Sequence, residues 1–222
     1  IDIAQFYVVG EQGGRLEPVL EAVRKAARRG VRVRILADAK FHQTYPSDLD
    51  ALAARKNIEV QLFDVEAAMG GVLHAKYFLV DGRELYLGSQ NFDWRSLEHV
   101  QELGIRTDQP ELVRALEDIF EADWALAAGA EREQALHPPT LPYTFPATVA
   151  MGEQSVLVSL AASPTGWLPD ERLWDLPQLV ALIDGAQERV RVQLLNYKTS
   201  DSQGRYFDDL DAALRRAAAR KV

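Results

Sequence analysis

Between positions 74 and 91 the sequence gathers an imidazole, an ammonium, a carboxylate, a hydroxyl and a carboxamide. They belong to His74, Lys76, Asp81, Ser89 and Asn91, with Gly88 just before the serine. As a pattern the stretch reads H-x-K-x4-D-x6-G-S-x-N. Residues two apart on a strand share a face, so His74 and Lys76 are expected to emerge together. Ser89 and Asn91 have the same spacing at the end of the next strand. Ammonium and carboxamide N–H groups suit the oxygens of a phosphate. An imidazole, with an ordinary pKa near 6.5, can attack phosphorus or carry a proton. Lys76 stands in the apolar run Leu73, Phe78, Leu79, Val80, where a charge requires a partner. Asp81 falls at an odd offset beside Gly82. It reads as a structural acceptor in a turn, or as a support for the site.

The rest of the composition narrows what this patch can be. The 222 residues hold no cysteine, which removes thiol nucleophiles, disulfides and Cys-ligated metals. No P-loop, dinucleotide glycine pattern or metal-ligand cluster is present, so neither a metal nor another cofactor is expected. A net charge of −8 argues against a generally basic, nucleic-acid-coating surface but not against a local basic site. At 47% hydrophobic residues the chain is ordinary globular material. No apolar run approaches the ~20 residues that cross a bilayer, so no transmembrane segment is expected.

The elements that must position the patch alternate strand, helix, strand, which predicts an α/β fold with a mixed sheet flanked by helices. Ile1–Val9 reads as a strand. Leu16, Val19, Leu20, Val23 and Ala27 recur at helical spacing until Gly30. Strands follow at Val31–Leu36 and Ile58–Phe63, with Ser47 predicted to cap a helix over Asp48–Lys56. A hairpin is predicted from Val72–Val80, a turn at Asp81–Glu84, and Leu85–Ser89. His99–Thr107 reads as a further strand. Asp108-Gln109-Pro110-Glu111 resembles a capping box opening a helix with Leu112, Val113, Leu116, Ile119, Phe120 and Trp124 on one face. The expected organisation is a first lobe over 1–128, a Pro-rich linker over 129–150, and the start of a second lobe over 151–222. That second part is predicted to carry a strand at Val156–Leu160, a helix at Leu176–Ala186 and a strand at Val190–Tyr197.

Val190–Tyr197 resembles Ile1–Tyr7, and Ala213–Val222 resembles Ala22–Val31. Two segments in the same order at nearly one offset predict a duplicated lobe, present here for its first strand and helix. The opening strand without a start and the final helix running toward a further strand suggest that the chain is part of a longer protein.

The signature at 74–91 resembles that of the phospholipase D superfamily, the HKD phosphodiesterases. The resemblance extends through Gly71–Lys76, Tyr86–Leu97, Glu102-Leu103-Gly104, Ile1–Tyr7, Ile119–Trp124 and Leu195-Asn196-Tyr197, and is nearest to the branch of lysosomal 5′ single-strand exonucleases. It implies two lobes that each bring one HKD set to a shared, metal-independent site. One histidine forms a phosphohistidine and the other protonates the leaving oxygen. By position, His74 would be the nucleophile, and Lys76 and Asn91 would bind phosphate oxygens with Ser89 ordering them. Glu102 would orient the imidazole, or else stand as a solvated acid on an edge strand. Trp94 would stack a base or belong to the core. The substrate would be a phosphodiester of single-stranded nucleic acid or of a phospholipid, taken by hydrolysis or transfer. The resemblance points to an oxidising lumen, but a chain without cysteine leaves the compartment unassigned.

This chain departs from that pattern in one respect. His42, His99 and His137 lack a Lys two residues on, so only one H-x-K occurs. By the repeat offset the second would fall near position 264, past Val222. The partner half would come from further chain or from a dimer mate, and residues 1–222 alone are expected to be nearly inactive. The alternative is a non-catalytic module that keeps the phosphate pocket. Two other features are expected to be minor. The basic run Arg28–Arg34 reads as a solvated helix end, and Trp167 and Trp174 as candidate groove walls.

Overall fold

A computed structural model describes residues 1–200 and 203–222. These fall into two compact units, Ile1–Leu160 and Ala161–Val222.

The first unit is built on strands β1 (Asp2–Gln5), β2 (Val8–Val9), β3 (Val33–Asp38), β4 (Ile58–Phe63), β5 (Lys76–Val80), β6 (Glu84–Gly88), β7 (Phe92–Asp93) and β8 (Gly104–Thr107), with β9 (Ala147–Met151) and β10 (Gln154–Val158) forming a separate ribbon. Its helices are α1 (Glu17–Arg28), α2 (Ala39–Thr44), α3 (Ser47–Ala53), α4 (Val65–Met69), α5 (Trp94–Glu98), α6 (Pro110–Ala127) and α7 (Arg132–Ala135). The main sheet runs β4-β3-β1-β5-β6-β8. β1, β3 and β4 are mutually parallel, and β5, β6 and β8 add antiparallel pairings. The fold is therefore α/β with a mixed sheet.

Alternation along β1 sets the two faces. Ile3 joins Leu16, Leu20, Val23, Ile35, Leu49 and Leu52 in a core beneath α1 and α3. On the other face Phe120 of α6 meets the Tyr77 ring edge-on at 6.5 Å. α6 begins where the sequence predicts, but its cap is the Gln109 side chain, which accepts from Leu112 N at 3.0 Å. The helix at 47 likewise starts one residue early: Pro46 is its N-cap and Ser47 makes no capping bond. Arg34 is not a solvated helix-end charge. Its side chain is 11% exposed, pairs with Asp2 at 2.6 Å and Glu121 at 2.5 Å, and lies over Phe120.

Three predicted segments differ. His99–Leu103 forms no strand, and β8 starts only at Gly104, where pairing with β6 begins; Val100 and Leu103 before it are 53% and 79% exposed. The Pro-rich stretch 129–150 carries α7 and most of β9. Pairing of β9 with β10 places these residues in the first unit. Val190–Tyr197 pairs with no strand among the described residues, and Leu195 there is 98% exposed.

The second unit contains a 3-10 turn (Glu171–Leu173), α8 (Asp175–Gly185) and α9 (Asp209–Ala219). Arg216 of α9 clamps Asp184 of α8 through two bonds of 3.0 and 2.7 Å. Tyr197, Tyr206 and Arg215 all donate to the Asp211 carboxylate, which holds its pKa down at about 2. Trp167 and Trp174 belong to this unit, flanking its 3-10 turn. Among the described residues no helix is long and apolar enough to cross a membrane.

Candidate active site

β1 and β3 are parallel, and β5 runs against β1, so one edge of the sheet collects the carboxyl ends of β1 and β3, the start of β5 and the end of β6. Parallel α/β sheets commonly bind ligands at this edge. His74 lies just before β5, where the sequence predicts it inside the strand, and its ring is exposed. Lys76 opens β5 opposite Gln5 of β1 and is 6% exposed. The register Tyr77↔Leu87, continued by one residue, brings Lys76 opposite Gly88. His74, Lys76, Gly88 and Ser89 thus meet at one end of the hairpin.

Asp81 does not join them. It sits at the far end of the hairpin with φ 55°, beside Gly82 with φ 60°, and Arg83 N donates to Val80 O at 3.0 Å. Two successive positive φ angles are what a tight hairpin turn needs. The structure therefore gives Asp81 the turn role.

Among the described residues Lys76 has no carboxylate partner within ion-pair distance. Its ammonium donates to the His74 carbonyl at 2.6 Å and lies 5.2 Å from the centre of the Phe6 ring. Burial pulls its pKa down to about 8, with Glu102 acting weakly the other way. The His74 pKa is also lowered, first by partial burial and then by the Lys76 charge. Both causes favour the uncharged imidazole, the form that has a lone pair to offer. Phe6 packs against it at 4.8 Å, backed by Phe41 at 3.9 Å from Phe6.

Ser89 continues the β6–β8 ladder through Ser89 N to Leu103 O at 2.9 Å. Its hydroxyl donates to Glu102 at 2.5 Å and accepts from Leu103 N at 3.0 Å. The described bond of Glu102 thus runs to Ser89 and not to the imidazole. Glu102 lies outside any strand, in contrast to the apolar strand setting predicted for it. Gly88 is favoured by close approach, since a Cβ there would lie 3.1 Å from the Leu103 carbonyl and would displace the flexible end of Gln90, whose Oε1 is 2.0 Å away.

Asn91 follows and is placed by a second small sheet in which β2 pairs with β7, Val8 opposite Phe92. Its Nδ2 donates to Tyr7 Oη at 3.2 Å, and Tyr7 donates to Asp93 at 2.6 Å. Trp94 begins α5, edge-on to His99 at 5.5 Å and beside the Arg95 guanidinium. Among the described residues no group of three or more His, Asp or Glu could hold a metal ion.

Three positioning residues escape a reading by spacing. Asp38, 2% exposed, caps α2 by accepting from Phe41 N at 3.0 Å and accepts from Leu73 N at 2.7 Å, fixing the backbone next to His74. Tyr7 and Asp93 are 86 positions apart and meet only through the β2–β7 pairing. The one local signal was Asp38-x-x-Phe41, a cap spacing before a short helix.

The comparisons with known proteins point to one family. The family described as "Cardiolipin synthase, PLD-like domain" matches residues 1–124, more than half of the chain. The 5'-3' exonuclease PLD3 of Bos taurus is 32% identical over 98% of this chain and 48% of its own length. The 5'-3' exonuclease PLD4 of Mus musculus is 31% identical over 92% of this chain and 42% of its own. Phospholipase D Z of Dictyostelium discoideum is 29% identical, covering 98% of this chain and 56% of that protein. The chain thus spans about half the length of these curated relatives.

Proposed function

The chain belongs to the phospholipase D-like family, and from that premise we propose that it supplies one H-x-K half of a phosphodiesterase site, with His74 as the nucleophile. The observation that carries this reading is the pairing of an exposed His74 with a buried Lys76 ammonium that pairs with no carboxylate among the described residues, at the sheet edge shared with Asn91 and Ser89.

A lone pair of the His74 imidazole attacks phosphorus, forming a P–N bond as the P–O bond to the leaving group breaks. The leaving oxygen takes a proton from a second histidine, contributed by further chain or by a dimer mate. Water then attacks phosphorus, the P–N bond breaks, and the water proton passes to that second histidine. Lys76 and one Asn91 N–H stabilise the charge that develops on the phosphoryl oxygens, which is the largest single contribution such sites make. Ser89 ties the end of β6 to Glu102 and so holds this wall in place. Domain organisation follows the same reading: residues 1–160 form the lobe with the site and 161–222 open a second lobe.

The relatives named as 5'-3' exonucleases support a single-stranded nucleic acid as substrate. The relative named as a phospholipase D supports a phospholipid as the second reading. The test compares full-length protein with its His74→Ala variant on a single-stranded oligonucleotide and on phosphatidylcholine vesicles. Loss of at least ~10³-fold on either substrate is expected. Equal cleavage by the two proteins would remove His74 as the nucleophile, and no cleavage by either would reduce the chain to a phosphate-binding module without catalysis.

A further inference from the structure

Tyr7 is 9% exposed, Asp93 is 2% exposed, and the Asn91 carboxamide lies against the tyrosine oxygen. A phenol has one proton. Here it is committed to Asp93 Oδ2 at 2.6 Å, while Asp93 Oδ1 accepts from Ser96 N at 2.6 Å and Arg95 stands 3.6 Å away. The Tyr7 oxygen can therefore offer Asn91 only a lone pair. An Asn91 rotated by half a turn would set its carbonyl oxygen against that lone pair, with no proton between them. In the observed orientation the price is visible elsewhere: Asn91 Oδ1 is buried and has no hydrogen-bond partner. A carboxamide that leaves its own acceptor unsatisfied is being held by the bond its N–H group makes.

We propose that Tyr7 and Asp93 form a clamp that fixes which edge of Asn91 faces the site, leaving its remaining N–H for a phosphoryl oxygen. This inference rests on the phosphodiesterase reading above and makes Tyr7 a positioning residue rather than a catalytic one. Nothing in the H-x-K pattern includes it. The supporting electrostatics agree: burial, then Asp93, pushes the Tyr7 pKa up to about 12, while its hydrogen bonds hold the Asp93 carboxyl below its usual range. The proton therefore stays on Tyr7 and the lone pair stays toward Asn91 throughout the working pH range.

The test is a double-mutant cycle on full-length protein, using the single-stranded oligonucleotide or the vesicles, whichever is cleaved. Tyr7→Phe keeps the ring and its stacking on Phe41 and Tyr45. It should lower kcat about 10-fold with KM little changed, and Asn91→Ala should lower kcat by roughly 10²-fold or more. If Tyr7 acts through Asn91, the double variant loses no more than Asn91→Ala alone. A further 10-fold loss in the double variant, or an unchanged kcat in Tyr7→Phe, would overturn the clamp. Should Tyr7→Phe fail to fold, Asp93→Asn, which retains an oxygen to cap α5, enters the same cycle with the same criterion. An active His74→Ala protein would refute the phosphodiesterase reading itself, which keeps the two failures distinct.

Discussion

The start of the chain and its internal repeat share a sequence pattern but not a structure. α1 and α9 end alike to the level of individual bonds. Val31 N donates to Ala26 O and Val222 N to Ala217 O, both at 3.1 Å, and Gly30 and Lys221 both take positive φ, 95° and 64°. Each pair is related by the same shift of 191 positions. The preceding strands do not match. β1 lies between β3 and β5, whereas Val190–Tyr197 joins no ladder among the described residues. A helix satisfies its backbone within itself, so the pattern suffices to form it. A strand depends on neighbours contributed by distant sequence, and the pattern alone does not form one.

Paired substitutions break this comparison most sharply. With Val190–Tyr197 laid on Ile1–Tyr7 from the first residue, a shift of 189, Val192 corresponds to Ile3, but the two are 52% and 2% exposed. Ile3→Ala should cost about 2–5 kcal/mol by urea unfolding, and Val192→Ala less than about 0.5 kcal/mol. Equal costs would mean that the second strand is paired in solution.

The helix over the β1 sheet also carries a half-buried group that works against stability. Burial raises the Asp123 pKa to about 7, on the helix that covers Tyr77. The folded state keeps that proton to about pH 7, whereas the unfolded chain releases it near pH 4. Stability is therefore lost as pH rises from about 4 to 7 and is level above. Asp123→Asn should match the natural protein at pH 4 and exceed it at pH 8 by no more than about 4 kcal/mol, read from melting curves at both values.

Next in size is the anchor beside His74, which has no described counterpart in the second unit. Asp38→Ala removes the acceptor of both Phe41 N and Leu73 N and should cost about 1–3 kcal/mol, with Asp38→Asn costing less. Hydrogen exchange at Leu73 should rise in the alanine variant. Smallest are the helix ends. Gly30→Ala, strained at φ 95° with open space around it, should destabilise by about 1 kcal/mol, and Lys221→Gly should stabilise by a similar amount.

What was legible in the sequence follows the same division. The helices α1, α6 and α8 and the β5–β6 hairpin were readable because periodicity and turn residues act over short spans. The local pattern leaves Asp81 between a turn and a site-supporting role, but the placement of His74, Lys76 and Ser89 at one end of the hairpin was readable as far as the hairpin reaches. Asp38, Tyr7 and Asp93 were not, because each meets its partner through strands 35 or more positions apart. The bond of Glu102 to Ser89 was not readable, since an apolar flank such as Val100 and Leu103 does not reveal that its residues face solvent. The strand at 190–197 failed for want of partners, which no local pattern records.

The most direct test of the central claim is to trap the covalent intermediate. Full-length protein mixed with the substrate it cleaves, quenched in alkali and digested, should carry a phosphoryl adduct on the peptide containing His74, detected by mass spectrometry and absent from His74→Ala. Rapid turnover with no adduct on His74, or an adduct that persists in His74→Ala, would contradict the assignment of His74 as nucleophile.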